Sequence, residues 1–141
     1  MINLKDITQA VEILLNGNVT GAVIIERNPM RNDDPSRAVV GWIGIYRGSL
    51  SYEPHTTGHG YMALVEILVE LQASSHQSGS DAEDILQDLE KQVIDVLKAN
   101  PTLSGTVQNP LGYSIEYQFN ADEEINFHSA VITIHAGVRT S

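Results

Sequence analysis

One long segment places an apolar side chain at every second position, and this feature constrains the fold most. The apolar positions are Tyr61, Ala63, Val65, Ile67, Val69 and Leu71. A period of two residues is typical of a β-strand that turns one face toward a core. The opposite face mixes glutamates with Met62, Leu64 and Leu68, which predicts partial cover by a helix or by another chain. The pattern alone leaves a buried helix as the alternative.

The other segments predict two helices and four more strands. Apolar side chains at helical spacing indicate a first helix over about 4–16, ended by a left-handed Gly17. A capping box of Ser80 and Glu83 starts a second helix, which ends at Asn100-Pro101. Strands are predicted at 19–26, 39–46, 111–119 and 127–138, the last two as an antiparallel hairpin. This order predicts an α+β fold with a mixed, mainly antiparallel sheet and two helices packed on one face.

The chain length predicts one domain, residues 1–141, with long loops at about 27–38 and 47–60. A chain of this size buries roughly 70% of its unfolded surface around a single core. No segment approaches the ~18 apolar residues of a membrane span. The N-terminus lacks the basic region and apolar stretch of a signal peptide, so we expect synthesis in a reducing cytoplasm and no membrane partner.

Composition excludes several classes of function. The chain has no cysteine and therefore no disulfide, no thiolate nucleophile and no cysteine-based metal site. Its net charge of -10 argues against duplex DNA or an anionic membrane as a binding partner, because both require a positive patch. The glycine-rich phosphate loop and the nucleophile elbow of hydrolases are both missing, so we expect no catalytic residue and no cofactor.

The histidines do not form a predicted metal site. His55 and His59 lie four residues apart in a segment with Pro54 and two glycines, and Glu53 is the only carboxylate nearby. Two imidazoles at this spacing meet reliably only on a helix, so we expect surface or interface histidines. His128 and His135 lie in one predicted strand with opposite parity and are expected on opposite faces of the sheet.

Charge is distributed unevenly along the chain. Residues 1–60 hold five basic and six acidic side chains, whereas residues 61–141 carry nine of the ten excess negative charges. The arginines of the first part lie in or beside the two predicted loops, and arginine forks suit carboxylates at interfaces. Our hypothesis is that these loops dock on the acidic second helix of a neighbouring copy; solvated loop charges are the alternative.

Glu66 and Glu70 are predicted on the same face of one strand, about 13 Å apart. This distance is too long for the carboxylate pair of a glycosidase, so we interpret them as a row that faces solvent or another subunit. The candidate assembly interface comprises Arg27, Arg31, Arg37, Arg47, Tyr52, Glu66, Glu70, Asp84 and Asp88.

Several segments, taken in their order along the chain, match the core and turn residues of one protein family. After an amphipathic first helix come Val23-Ile24-Ile25-Glu26-Arg27, Trp42-Ile43-Gly44-Ile45-Tyr46-Arg47-Gly48, Tyr52-Glu53-Pro54, residues 66–73, the acidic helix, Leu103-Ser104-Gly105-Thr106-Val107 and Ala130-Val131-Ile132-Thr133-Ile134. In this order the chain resembles the tail terminator (tail completion) proteins of long-tailed bacteriophages. None of these segments is a catalytic signature.

The resemblance implies a small α+β domain that assembles as a hexameric ring, caps the finished tail tube and presents a surface for the head's connector. It implies a virion protein at the head-proximal end of the tail, made in the host cytoplasm. Its partners would be the tail tube protein and the head–tail connector protein, with DNA passing through the lumen without specific binding. Two alternatives stay open: a head–tail connector (neck) protein, and a small acidic metal-dependent hydrolase or ligand-binding domain that uses His55, His59 and Glu53.

Overall fold

The computed structural model describes residues 3–20, 23–27, 41–54, 61–75, 79–121 and 126–140. Its elements are helix α1 (Leu4–Asn18), strands β1 (Val23–Arg27), β2 (Gly41–Pro54) and β3 (Tyr61–Ser75), helix α2 (Gly79–Ala99), and strands β4 (Gln108–Ala121) and β5 (Asn126–Thr140). As predicted, α2 ends directly before Asn100-Pro101. The side chain of Ser80, part of the predicted capping box, lies outside the described side chains. Within the described ranges, no helix combines the length and apolarity needed to cross a membrane.

The five described strands form one sheet in the order β1-β2-β3-β5-β4. β1 and β2 are parallel, and the other neighbours are antiparallel. The predicted α+β class with a mixed, mainly antiparallel sheet is therefore confirmed. β3 and β5 pair from Tyr61 with Thr140 to Ser75 with Asn126, so they form the centre of the sheet.

Both helices pack on one face of this sheet, the inner face, as predicted. Alternating residues of β3 and β5 on this face are at most 7% exposed: Ala63, Val65, Ile67, Val69, Leu71, Ala130, Ile132, Ile134 and Ala136. All of them except Ala63 form one apolar cluster with α1 and α2, whose most buried contributions are Ile7, Val11, Leu15, Leu86, Val93 and Leu97. The alternation along β3 thus marks a strand and excludes the buried-helix alternative.

α1 continues through its predicted stop at Gly17 and ends at Asn18. The N–H of Val19 donates to the carbonyl oxygen of Leu15 at 2.9 Å. The side-chain amide of Asn18 donates to the carbonyl oxygen of Leu14 at 2.8 Å. These two hydrogen bonds satisfy the carbonyl groups of Leu14 and Leu15 at the end of the helix, so no residue in the left-handed conformation is needed there. Gly17 accordingly has no positive φ. The prediction of a left-handed Gly17 is therefore wrong.

β1 begins later than the strand predicted at 19–26. The backbone N–H of Thr20 donates to Oε1 of Gln92 on α2 at 2.8 Å, and Nε2 of Gln92 donates to the carbonyl oxygen of Thr20 at 3.3 Å. Thr20 is consequently hydrogen-bonded to the other helix and does not belong to β1.

β2 is longer than predicted and takes up most of the second predicted loop. Residues 47–54, expected in a loop at 47–60, pair with β3 with one register shift near Gly48. A Cβ built on Gly48 would lie 2.9 Å from the carbonyl oxygen of Glu66, so the missing side chain permits this close approach. Local glycine and proline residues favoured a loop, but pairing with β3 outweighs them. The rest of the predicted loop, 55–60, lies outside the described residues.

Candidate assembly surfaces

A cleft at the β1 end of the sheet gathers three cationic side chains. This basic cleft has a volume of about 520 Å³ and is lined by Leu4, Lys5, Thr8, Arg27 and Arg47. Nη1 of Arg27 donates to the carbonyl oxygen of Lys5 at 3.2 Å, and Nε of Arg27 lies 4.0 Å from Oε1 of Glu12. Among the described residues, only the carboxylate of Glu12 is paired with one of these cations, and it offsets part of the positive charge, so the described part of the cleft attracts anionic groups.

A groove between α2 and β4 lies at the opposite end of the sheet. This α2–β4 groove has a volume of about 650 Å³ and is lined by Glu83, Gln87, Glu90, Lys91, Ile94, Lys98, Tyr113, Ile115 and Tyr117. Tyr113 and Ile115 are half-buried, whereas Tyr117 is 58% exposed. The Tyr117 hydroxyl donates to Oε1 of Glu90, which joins strand to helix across the groove. This hydrogen bond raises the pKa of Tyr117, because it stabilises the protonated phenol.

The sheet face turned away from the helices, the outer face, is acidic. Register places Glu26, Glu66, Glu70 and Glu116 on it, and its described side chains include no lysine or arginine. The Tyr46 hydroxyl donates to Oε1 of Glu70 at 3.5 Å. The described side chains of this face therefore repel polyanions and present hydrogen-bond acceptors to a partner.

Ser114, His135 and Glu66 form a row across three strands of the outer face. Oγ of Ser114 lies 3.4 Å from Nε2 of His135, and Nδ1 of His135 lies 3.4 Å from Oε1 of Glu66. The order matches a hydrolase triad, but Ser114 lies within a regular strand and not on the sharp turn that presents a nucleophile. The side chains of His135 and Glu66 are 47% and 40% exposed, so water reaches the row. We interpret it as a surface polar network.

The structure brings together some residues of the predicted interface. Arg27 and Arg47 line the same basic cleft, although Arg47 belongs to β2 and not to a loop. Glu66 and Glu70 share the outer face, each beside its own partner. His128 and His135 lie on opposite faces, as predicted, and His128 points toward α2.

Other predicted interface residues are separate from these groups. Asp84 and Asp88 are exposed on α2, and Asp88 accepts a hydrogen bond from Gln92 at 3.1 Å. Tyr52 is 48% exposed near the end of β2. Arg31 and Arg37, like the histidines His55 and His59, lie outside the described residues. Among the residues that the structure does describe, no group of three or more His, Asp or Glu is placed to hold a metal ion.

Sequence reasoning missed the acidic residues that face the α2–β4 groove. Glu83 and Glu90 lie beside β4, whereas Asp84 and Asp88, which were predicted, do not line the groove. All four belong to the polar side of one amphipathic helix, and helical spacing does not tell which flank meets β4. Glu83 and Glu90 are seven residues apart, which is about two helical turns, and this spacing indicates that they lie on the same flank of α2.

Glu83 links α2 to the sheet, and this link predicts a loss of stability in acid. Oε1 of Glu83 accepts a hydrogen bond from Nε2 of Gln87 at 3.1 Å, and Oε2 pairs with Nδ1 of the buried His128. The hydrogen bond from Gln87, and then that with His128, lower the pKa of Glu83 below its ordinary value of 4.5. A lowered folded-state pKa stabilises the fold above the unfolded-state pKa, and this contribution disappears as the pH falls through the folded-state pKa.

We therefore expect Glu83→Gln to lower the free energy of unfolding near neutral pH and to change it less near pH 3, measured by urea denaturation at both values. Asp84→Asn is the matched control, because it removes the same charge from an exposed neighbour on α2. An equal pH dependence of both variants would contradict a specific contribution from Glu83.

Comparison with known proteins gives matches among solved structures. No family model and no curated protein sequence matches this chain. A chain from the structure described as "Virion of native gene transfer agent (GTA) particle" is similar with a TM-score of 0.49 and 11% sequence identity. The match covers 94% of this chain and 94% of that chain.

Proposed function

We propose that this protein is a structural component of a phage-like virion. In this proposal its copies form a ring that caps the tail tube, ends tube polymerisation and provides the surface for head–tail joining. The sequence resemblance to tail terminator proteins supports the role, and its segments coincide with strands: residues 42–48 lie in β2, 66–73 in β3 and 130–134 in β5. The resemblance therefore concerns the residues that build the sheet.

The observation that carries the proposal is the difference between the two ends of the sheet. Lys5, Arg27 and Arg47 converge at the β1 end, whereas Glu83 and Glu90 border an apolar groove at the β4 end. Two unlike, complementary surfaces on one chain favour head-to-tail association, in which each copy uses both surfaces once. Such a heterologous arrangement gives a closed ring when the rotation between copies closes.

The acidic outer face supports the same role. A ring through which DNA passes needs a wall that does not hold phosphates, and like charges repel them. The four carboxylates of Glu26, Glu66, Glu70 and Glu116 meet that requirement if the outer face lines the lumen.

The test is to mix the purified protein with tail tubes that were assembled without it and to examine the tubes by electron microscopy. We expect one ring at one end of each tube and no further elongation when tube protein is added. Binding along the tube sides, or continued elongation, would refute the capping role. Capture by purified heads that lack tails, with no binding to tubes, would favour the connector alternative.

Charge reversal in the basic cleft should weaken ring formation. We expect Arg47→Glu to weaken self-association roughly tenfold or more at low salt, because it sets like charges against each other across the interface. The difference should shrink at about 1 M salt, where the screening length falls to about 3 Å. Sedimentation over a range of concentrations measures this change. Arg47→Lys is the control and should associate almost like the unchanged protein, and an equal loss in both variants would contradict a role for charge.

A further inference from the structure

One long backbone edge of β4 is not paired with any other described strand. This strand is the last of the sheet and pairs only with β5 among the described strands. From Gly112 to Ala121 the pairing is regular, and residues 113–121 contain no proline, lysine or arginine. Proline, lysine and bulges are the usual devices that keep a sheet edge from pairing with another chain. This stretch is consequently open to a further strand.

The groove beside this edge is incomplete. α2 packs mainly against β3 and β5, which leaves the inner side of β4 only partly covered. Ile94, Tyr113 and Ile115 supply apolar surface, and the exposed ring of Tyr117 lies above the edge. A strand added to β4 would extend the inner face under α2 and cover these side chains.

Charge around the groove selects a basic occupant. Glu83 and Glu90 lie on the flank of α2 that faces β4. Lys91, also at the groove, pairs with Asp95 at 3.0 Å, and Lys98 is the other cation among the described residues that line the groove. The helix as a whole is acidic. An incoming strand that carries a cation on its inner side therefore fits best.

β1 has the required features. Among the described strands it is the opposite edge strand and is five residues long, and its inner side carries Ile25 and then Arg27, which lines the basic cleft. Its outer side carries Ile24, which is 40% exposed, and Glu26. A β1 strand placed against β4 would set an isoleucine beside the apolar groove and an arginine beside the glutamates of α2.

Strand direction is compatible with this junction. β1 runs parallel to β2, and three antiparallel steps follow from β2 to β4, so β1 and β4 run in opposite directions within one chain. Rotation about a ring axis along the strands preserves these directions. The two edges of successive copies would therefore meet as an antiparallel pair.

We propose that β1 of one copy adds to the free edge of β4 of the next copy, so that the sheets of the ring become continuous. The inner side of β1 of the first copy, which carries Ile25 and Arg27, then occupies the α2–β4 groove of the second copy. This inference rests on the proposed function, since it names the partner surface within the same ring.

Disulfide cross-linking tests the junction directly, because the chain has no cysteine of its own. Protein carrying Ile24→Cys is mixed in turn with protein carrying Ser114→Cys, Glu116→Cys or Gln118→Cys, all on the outer face. Opposed residues of an antiparallel pair have Cα atoms about 4.5 to 5.5 Å apart, within the range of a disulfide. After mild oxidation, with and without tail tubes, covalent dimers are measured on a non-reducing gel.

Two matched controls use other exposed positions. Tyr117→Cys lies between two of the test positions but on the inner side, and Ile13→Cys lies on α1 with 62% of its native side chain exposed. We expect one outer-face pair to give about tenfold more dimer than Ile24→Cys with Tyr117→Cys, or than Ile13→Cys with any β4 variant.

Association without a cross-link from any of the three pairs would overturn the junction while leaving the ring proposal intact. Equal dimer yields from the controls would overturn it as well. A specific cross-link without any ring on tubes would support the junction and reject the capping role. A chain that stays monomeric both alone and with tubes would overturn both proposals.

Discussion

Replacement of Ile134 by alanine is expected to lower the free energy of unfolding by about 3 to 4 kcal/mol. Ile134 is fully buried at the middle of β5, opposite Ile67 of β3 and Tyr113 of β4. The central strands cannot move to fill the space, because each is held by its neighbours on both sides. Truncation therefore removes apolar contacts and leaves a cavity. Urea denaturation followed by the fluorescence of Trp42, the single tryptophan, measures the loss.

The matched control for this change is Ile13→Ala. The same side chain is removed, but from a position on α1 that is 62% exposed. We expect a change within about 0.5 kcal/mol, since the surface loses little contact and alanine is the better helix former. A loss below about 1 kcal/mol at Ile134, or equal losses at both positions, would show that the sheet centre repacks more freely than its burial indicates.

The parts of the fold that the sequence predicts are those with periodic burial. Alternation along β3 exists because one face of that strand meets both helices, and every inward residue from Ala63 to Leu71 is buried. The hairpin of β4 and β5 follows from two alternating strands and a short polar link. In each case the local pattern and the tertiary packing require the same side chains, so sequence alone is sufficient.

The parts of the fold that the sequence does not predict depend on contacts between distant segments. Residues 47–54 carry turn-forming residues, yet they pair with β3. Leu103 is fully buried although it lies in a turn with a φ of 47°, where no periodicity marks it as a core residue. Likewise, only the placement of β4 distinguishes Glu83 and Glu90 from the other acidic residues of α2. The order of the strands in the sheet therefore determines which surfaces of this chain are available to another copy.

A methyl group at position 44 should destabilise the protein strongly. The ring of Trp42 lies along its own strand over Gly44, and Nε1 of Trp42 donates to Oε2 of Glu26 at 3.1 Å. A Cβ built on Gly44 would lie 2.7 Å from Cζ2 and 3.0 Å from Cζ3 of the indole. Since the ring is 2% exposed and anchored by its hydrogen bond, it cannot yield without losing packing. We expect Gly44→Ala to cost about 2 to 3 kcal/mol.

Gly17→Ala is the control that isolates this contact. Both substitutions remove the same backbone freedom from the unfolded chain, but a Cβ at position 17 meets nothing within 4 Å. Because Gly17 lies within α1, alanine there should stabilise the protein by about 0.5 to 1 kcal/mol. Urea denaturation gives the two values, and the emission of Trp42 should shift to longer wavelength in Gly44→Ala alone, because a displaced indole meets water. Stabilisation by both substitutions would mean that the indole leaves its position over Gly44 at little cost, and that the outer face at β2 is adaptable and not a fixed surface.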